Sequence, residues 1–464
     1  MALEPTVVAD FRLWLDRRLT KLWGRGSLRG QLAFGSFWSI TGAVLPRALT
    51  LPASILCARW LGKTGFGELA IIQSTVGMAA VFAGLGLGMT ATKYVAEWRE
   101  KDPPKAGRIL AISTLLAAGA GGSMALLLYL LAPLLAQRVL AAPQLVGPLA
   151  LGAALLWLGS VNGAQTGALS GLEAFKTMAL VNLMSGVCLF PMLVGGVLGW
   201  GLEGAVWGLL ASAAVDLLLN NLALRRECAR AGVPYSFSGC WREWPVLWKF
   251  SLPSFLCGSI GGPVAWSCST LLVNQPNGYA ELGIFNAANQ WRMALLFIPF
   301  AVGQVLIPIL ANQLGAGNRR RAGKILRGAV VVNAILITPA VLILGLLSST
   351  IMAQYGQDFA GSGPVLLAVL ATAALLSIQV PVGHVMAASG KMWTGFAMNL
   401  GWGLVVLSAA YCFLKYRALG LALAYGIGYV VHGIWTFGYA WWLLRDELAD
   451  KAAPEAQMAS DNAV

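Results

Sequence analysis

Charged side chains make up only 11% of this sequence, and acids are scarcer than bases, with 19 Asp and Glu against 32 Lys and Arg. Soluble domains carry about 25% charged residues, so a water-soluble globular protein is excluded. Histidine occurs twice and cysteine seven times. The cysteines (57, 188, 228, 240, 257, 268 and 412) are odd in number and mostly sit inside apolar runs. They form neither a disulfide framework nor a zinc spacing, so no structural disulfide and no metal are expected. No Walker loop, HExxH, GxSxG or DxD-type metal site stands in a suitable context, which predicts no cofactor and no ATP-driven step.

What is present is apolar surface. Of 464 residues, 58% are hydrophobic, mean hydropathy is +0.72, and 55 are glycine, a residue that lets membrane helices approach closely. The net charge of +13 does not point to nucleic acid, because the basic residues fall in short clusters between apolar runs. That is a membrane topology signal.

A membrane-spanning helix needs about 20 apolar residues, and twelve runs qualify. They lie at about 33–56, 67–92, 109–132, 146–170, 177–199, 204–224, 249–273, 284–308, 328–352, 364–387, 395–414 and 419–443. With a cytoplasmic N-terminus, 25 of the 32 basic residues fall on the cytoplasmic side, so both termini are expected there. Upstream, Val8, Phe11, Leu15, Leu19 and Leu22 share helical spacing against Arg12, Arg17, Arg18 and Lys21. That pattern predicts an amphipathic helix on the membrane surface, or else a solvated basic leader. No external loop exceeds about a dozen residues, which leaves no room for the loop-borne carboxylates of a membrane glycosyltransferase or ligase. The expected product is a transporter, not an enzyme.

Internal repetition sharpens this. "KAGRIL" (105–110) returns as "RAGKIL" (321–326), an offset of 216 that also pairs Gly62 with Gly278 and Gly67 with Gly283. Further on, "LSG" (169–171) echoes "ASG" (388–390) and Asn182 echoes Asn399, with offsets of 217–219. The chain therefore reads as a segment 1–32, a six-helix bundle 33–224, a basic linker 225–248, a second bundle 249–443 and a tail 444–464. Six spans per half put both bundles in the same orientation, a transporter arrangement with its site between two rocking halves.

Ionisable groups within a bilayer mark function by default. Arg47 lies mid-span between Pro46 and Pro52, too deep to snorkel to the interface. Arg292 sits in "NAANQWRMALLF" near Asn286, Asn289 and Gln290, where snorkelling competes with an inward role. Asn289 and Gln290 match Gln73 and Ser74 of the first half. Two inward-facing guanidinium groups suit a phosphate or diphosphate. Arg59 and Lys93, at opposite ends of the second span, would either extend a basic path or anchor at the interface. Asp216, the only acid near the middle of a span, would carry a coupling ion or neutralise one of the arginines. Glu68 is a second, weaker coupling candidate, since an acid at a helix start also has a structural reading. Trp38 either lines the cavity and stacks on sugar or belongs to the interfacial belt. His384 and His432 read as structural. The glycines of "GLGLGMTATKYVAEW" (84–98) have no strand before them and read as helix-packing residues of the second span, not a phosphate loop.

The "WLGKTGFGELAIIQS" entry to the second span, the "GLGLGMTATKYVAEWREKD" exit and the 6+6 plan resemble an oligosaccharide-repeat flippase of the multidrug/oligosaccharidyl-lipid/polysaccharide exporter superfamily. The resemblance covers about 30–445. It implies an all-α fold of twelve spans in a bacterial inner membrane and a polyprenyl-diphosphate-linked glycan carried through a cationic cavity by alternating access. Membrane lipid, a polysaccharide polymerase and other assembly proteins would be the partners. An ion-coupled multidrug exporter and a lipid II-type flippase share the superfamily. The first usually needs acids for cation coupling and the second usually has two further spans.

Overall fold

The computed structural model describes residues 28–245, 255 and 258–445. Among them there is no strand. Twelve α-helices follow in order: α1 (Leu28–Gly84), α2 (Leu87–Trp98), α3 (Pro103–Leu134), α4 (Val146–Gly171), α5 (Phe175–Arg230), α6 (Gly261–Val273), α7 (Gly278–Gly315), α8 (Arg319–Leu346), α9 (Ser348–Gln354), α10 (Gly363–Ala388), α11 (Met392–Cys412) and α12 (Arg417–Arg445). In hydrocarbon every backbone N–H and C=O must find an internal partner, which helices provide. Eight helical stretches among the described residues are long and apolar enough to cross a membrane.

Two of these helices are bent double. α1 breaks at Gly62, whose φ of 67° and ψ of 175° suit only glycine without strain. α5 breaks at Trp200 and Gly201, between the runs expected at 177–199 and 204–224. The run expected at 328–352 is divided instead, with α8 ending at Leu346 and α9 starting at Ser348. The surface helix expected over 8–22 and most of the tail lie outside the described residues. α5 extends to Arg230, into the segment read as linker.

The start of α3 follows from "DPPKAGRIL". Asp102 accepts a hydrogen bond from the Lys105 amide at 3.0 Å, and Pro103 and Pro104 fill the first turn. A carboxylate cap before proline meets the amides that a helix start leaves unpaired. Around this turn the basic residues are engaged: Lys105 lies 3.4 Å from the centre of the Trp98 ring, Arg99 pairs with Glu173 at 2.8 Å and Arg108 with Glu243 at 3.0 Å.

The two halves of the chain meet where α1 crosses α7. A Cβ placed on Gly67 would lie 1.8 Å from the Tyr279 carbonyl oxygen, and one on Gly283 would lie 2.0 Å from the Lys63 carbonyl oxygen. The contact is reciprocal, and both its glycines and both its carbonyls are 216 residues apart. Around it, Phe66 packs against the buried rings of Tyr355 and Phe359, each at 6.4 Å. Tyr355 accepts a hydrogen bond from Trp291 Nε1 at 3.1 Å. Further cross-links join Arg59 Nε to the Gln354 carbonyl at 2.6 Å, Asn274 to the Val139 carbonyl at 2.8 Å and Tyr279 to the Leu140 carbonyl at 2.7 Å. One hydrophobic core runs through this junction, from Cys57, Ile71 and Ile72 to Leu272, Phe285 and Tyr425.

Gly67→Ala is therefore expected to force α1 and α7 apart and lower the thermal unfolding midpoint in detergent, by the equivalent of about 1–3 kcal/mol for overpacking. An unchanged midpoint would show that the crossing is not tight.

Candidate functional site

Two polar clusters stand inside the apolar helices. The first is built around Asp216 on the second arm of α5. Its carboxylate accepts from Asn162 Nδ2 of α4, from Ser185 Oγ at 2.6 Å and from Asn220 Nδ2 at 3.2 Å. Asn220 also donates to Asn162 Oδ1 at 2.9 Å. Asn220 is 3% exposed. It lies one turn beyond Asp216, the spacing that puts two side chains on one helical face. Three neutral donors thus replace the water that a carboxylate loses in a low-dielectric interior. Asp216 pairs with no arginine among the described residues, and the side chain of Arg47, one of the two arginines named as its partner, lies outside them.

The second cluster is built around Arg292, on α7. Arg292 is 7% exposed, so it does not snorkel. Its Nε donates to Asn289 Oδ1 at 2.8 Å, and the guanidinium lies 5.3 Å from the centre of the Tyr425 ring of α12. Tyr425 stacks on Phe285 at 5.9 Å and neighbours Tyr429 at 6.4 Å, while Trp402 of α11 stacks on Tyr429 at 5.6 Å. No carboxylate pairs with Arg292 among the described residues, and its neighbours are a neutral amide and aromatic rings. A ring face attracts a cation without cancelling its charge. The cluster therefore keeps a net positive field in an apolar surrounding, which suits an anion.

The other sequence candidates are dispersed. Gln290 is half-buried beside this cluster, and Gln73 is exposed. Arg59 is exposed and engaged by Gln354 at the junction of the halves, and Glu68 accepts from Gln144 at 3.0 Å. Lys93 lies 4.9 Å from the centre of the Tyr94 ring. Arg47 and Trp38 fall on α1, but their side chains lie outside the described residues.

One expectation is corrected. The glycines after residue 83 do not belong to a continuous second span: the helix stops at Gly84 and restarts at Leu87, with Leu85 (φ 43°) and Gly86 (φ 69°) left-handed between them. Gly88 does pack, since a Cβ on Gly167 would meet its carbonyl oxygen at 2.2 Å. The break opens a cavity of ≈ 380 Å³ among Gly84, Gly86, Gly159, Gly163, Phe255 and Gly258. Sequence reasoning also missed Asn162, Ser185, Asn220, Tyr425 and Trp402. Only Asn220 carried a local signal, its spacing from Asp216.

Asp216→Leu should strip three donors of their acceptor at a cost of about 1–3 kcal/mol for each one left unpaired, and lower the unfolding midpoint well below that of Asp216→Asn. Equal midpoints for the two variants would mean the donors are satisfied elsewhere.

Comparison with known proteins places this architecture. Residues 32–313 match the family model described as polysaccharide biosynthesis protein. The EPS I polysaccharide export inner membrane protein EpsE of Ralstonia nicotianae is 25% identical over 411 residues, covering 87% of this chain and 92% of that protein. The lipid III flippase of Escherichia coli is 27% identical over 295 residues, covering 61% and 67%. A solved inward-facing multidrug resistance MATE family transporter of the MOP superfamily superposes with a TM-score of 0.74 at 15% identity, covering 88% of this chain and 98% of that one. Multi-pass helices, the transporter fold and a family match over more than half the chain agree: the protein belongs to the polysaccharide biosynthesis protein family, with the fold of a MOP-superfamily transporter.

Proposed function

We propose that the protein is a flippase that carries a polyprenyl-diphosphate-linked oligosaccharide from the cytoplasmic to the outer leaflet of a bacterial inner membrane. The observation that carries this is the buried setting of Arg292, with no carboxylate against it among the described residues. A guanidinium held in an apolar bundle without a counter-carboxylate is costly unless a ligand supplies the negative charge, and a diphosphate matches its forked donors. The relatives support the substrate class: one is named for polysaccharide export and one as a lipid III flippase.

In this mechanism twelve spans form two six-helix bundles, over 33–224 and 249–443, with both termini cytoplasmic. Arg47 and Arg292 bind the diphosphate from opposite bundles. Asn289, Gln290 and Gln73 offer hydrogen bonds to the glycan, and Trp38 offers a ring face. The polyprenyl tail stays in lipid between the bundles. Arg59 and Lys93 add positive charge at the two ends of the path. The crossing of α1 and α7 at Gly67 and Gly283 lies by this topology toward the outer face, so its closure leaves the cavity open to the cytoplasm. Asp216 is the coupling group that exchanges an ion as the first bundle changes its packing, and Glu68 a lesser candidate. A polymerase and other assembly proteins take up the delivered unit.

In a strain that depends on this transporter for surface polysaccharide, Arg292→Ala and Arg47→Ala at equal expression should each reduce the polymer at least about tenfold, the effect of losing about 1.4 kcal/mol of binding. Lysine at either position should restore it only partly, because an ammonium lacks the fork. Normal polymer in Arg292→Ala would remove the central claim. A changed dye or antibiotic sensitivity on deletion, with polymer unaffected, would indicate drug export instead.

A further inference from the structure

The offset that relates the two halves also relates their interior polar pairs. Adding 216 to Asp216 gives His432, adding 216 to Asn220 gives Thr436, and adding 217 to Asn162 gives Gln379. In the first half, the Asn162 amide joins Asp216. In the second, the Gln379 side chain of α10 lies 3.2 Å from His432 Nδ1 of α12 through its Oε1. Both halves thus place one amide and one titratable side chain at the same point, an acid in one and an imidazole in the other.

Geometry fixes the imidazole's chemistry. Gln379 Nε2 donates to the Tyr429 carbonyl at 2.7 Å, so its Oε1 is the atom that faces the ring. An acceptor there requires Nδ1 to carry the proton, which leaves Nε2 as the basic nitrogen. The helix around the pair is built to hold it. Gly433 packs so closely that a Cβ would meet Gln379 Nε2 at 2.9 Å, and Thr436 donates back to the His432 carbonyl at 2.7 Å.

The charges around His432 are one-sided. Among the described residues, the helices packed against α12 bring Arg292 (α7), His384 (α10) and Cys268 (α6) into the bundle, and α12 itself contributes Tyr425, Tyr429 and Tyr439. α8 carries its basic residues between 319 and 327, and α11 only Tyr411 and Cys412 at its end. Among the described residues of these helices the one carboxylate is Glu281, which sits in the first turn of α7 and faces Arg417 at 3.6 Å. Tyr425, which underlies Arg292, is seven residues before His432 on α12. That is two turns along one face, about 10 Å of rise.

We propose that His432 is a proton-binding site of the second bundle, the counterpart of Asp216 in the first, and that it takes up a proton when an anionic diphosphate occupies the Arg292 cluster. With the cluster empty, a second positive charge beside Arg292 is unfavourable and the imidazole stays neutral. An anion on Arg292 reverses that balance, since a nearby negative charge favours the charged imidazole. The coupling half of this inference rests on the flippase reading; the proton site does not.

The chain's two histidines make the test direct. Full-length protein carrying His384→Asn and a histidine-free affinity tag, labelled with 15N histidine in nanodiscs, reports His432 alone by NMR. The expected result is an Nδ1–H tautomer that Gln379→Leu disturbs, and titration within about pH 5–8. At a fixed pH of about 6.5, a short polyprenyl diphosphate should increase the charged fraction, and Arg292→Ala should abolish that increase. Native mass spectrometry of the same samples reports whether the lipid binds. A resonance that stays neutral throughout that range, with and without lipid, overturns the proposal. Bound lipid without proton uptake overturns the coupling and leaves the substrate reading intact. Titration of His432 with no lipid bound supports the proton site and counts against the diphosphate substrate.

Discussion

The carbonyl oxygen of Tyr279 occupies the space where a side chain on Gly67 would begin, and the carbonyl of Lys63 does the same to Gly283. This mutual backbone contact brings α1 and α7 together, and the large core spreads outward from it through Phe66, Tyr355 and Phe359. Lipid offers no hydrophobic driving force between helices, so close packing of small residues has to hold them. Equivalent residues make each side of the contact, so a shift of one helix disturbs both of its halves at once.

Away from the junction, the interior is organised by how it treats the few polar groups it admits. Among the described residues Asp216 is met by neutral donors and Arg292 by an amide and ring faces, and neither has an opposite charge as its partner. An ion pair between them would have satisfied both and left nothing for a ligand. The duplicated register then makes His432 intelligible as a position, since it stands where the first half has its acid.

The sequence by itself determined that the chain crosses a membrane and does so with helices. Composition and the lengths of apolar runs are enough for that, because hydrocarbon leaves the backbone no other partner than itself. Repetition of "KAGRIL" as "RAGKIL" and the pairing of Gly67 with Gly283 were also legible, though not that the two glycines touch. Arg292 and Asp216 could be picked out because a charge inside an apolar run is conspicuous. Their partners one turn away, Asn289 for Arg292 and Asn220 for Asp216, were within reach of helical spacing, but their partners on other helices were not legible. Asn162 lies 54 residues from Asp216, and Tyr425 lies 133 residues from Arg292; neither spacing is helical, and only packing of distant helices joins them. Tertiary structure likewise decided the break at Leu85 and Gly86, because a glycine-rich run reads equally as helix packing or as a turn until its neighbours are fixed. The sequence therefore set which residues must avoid lipid, and the fold set what each of them meets there.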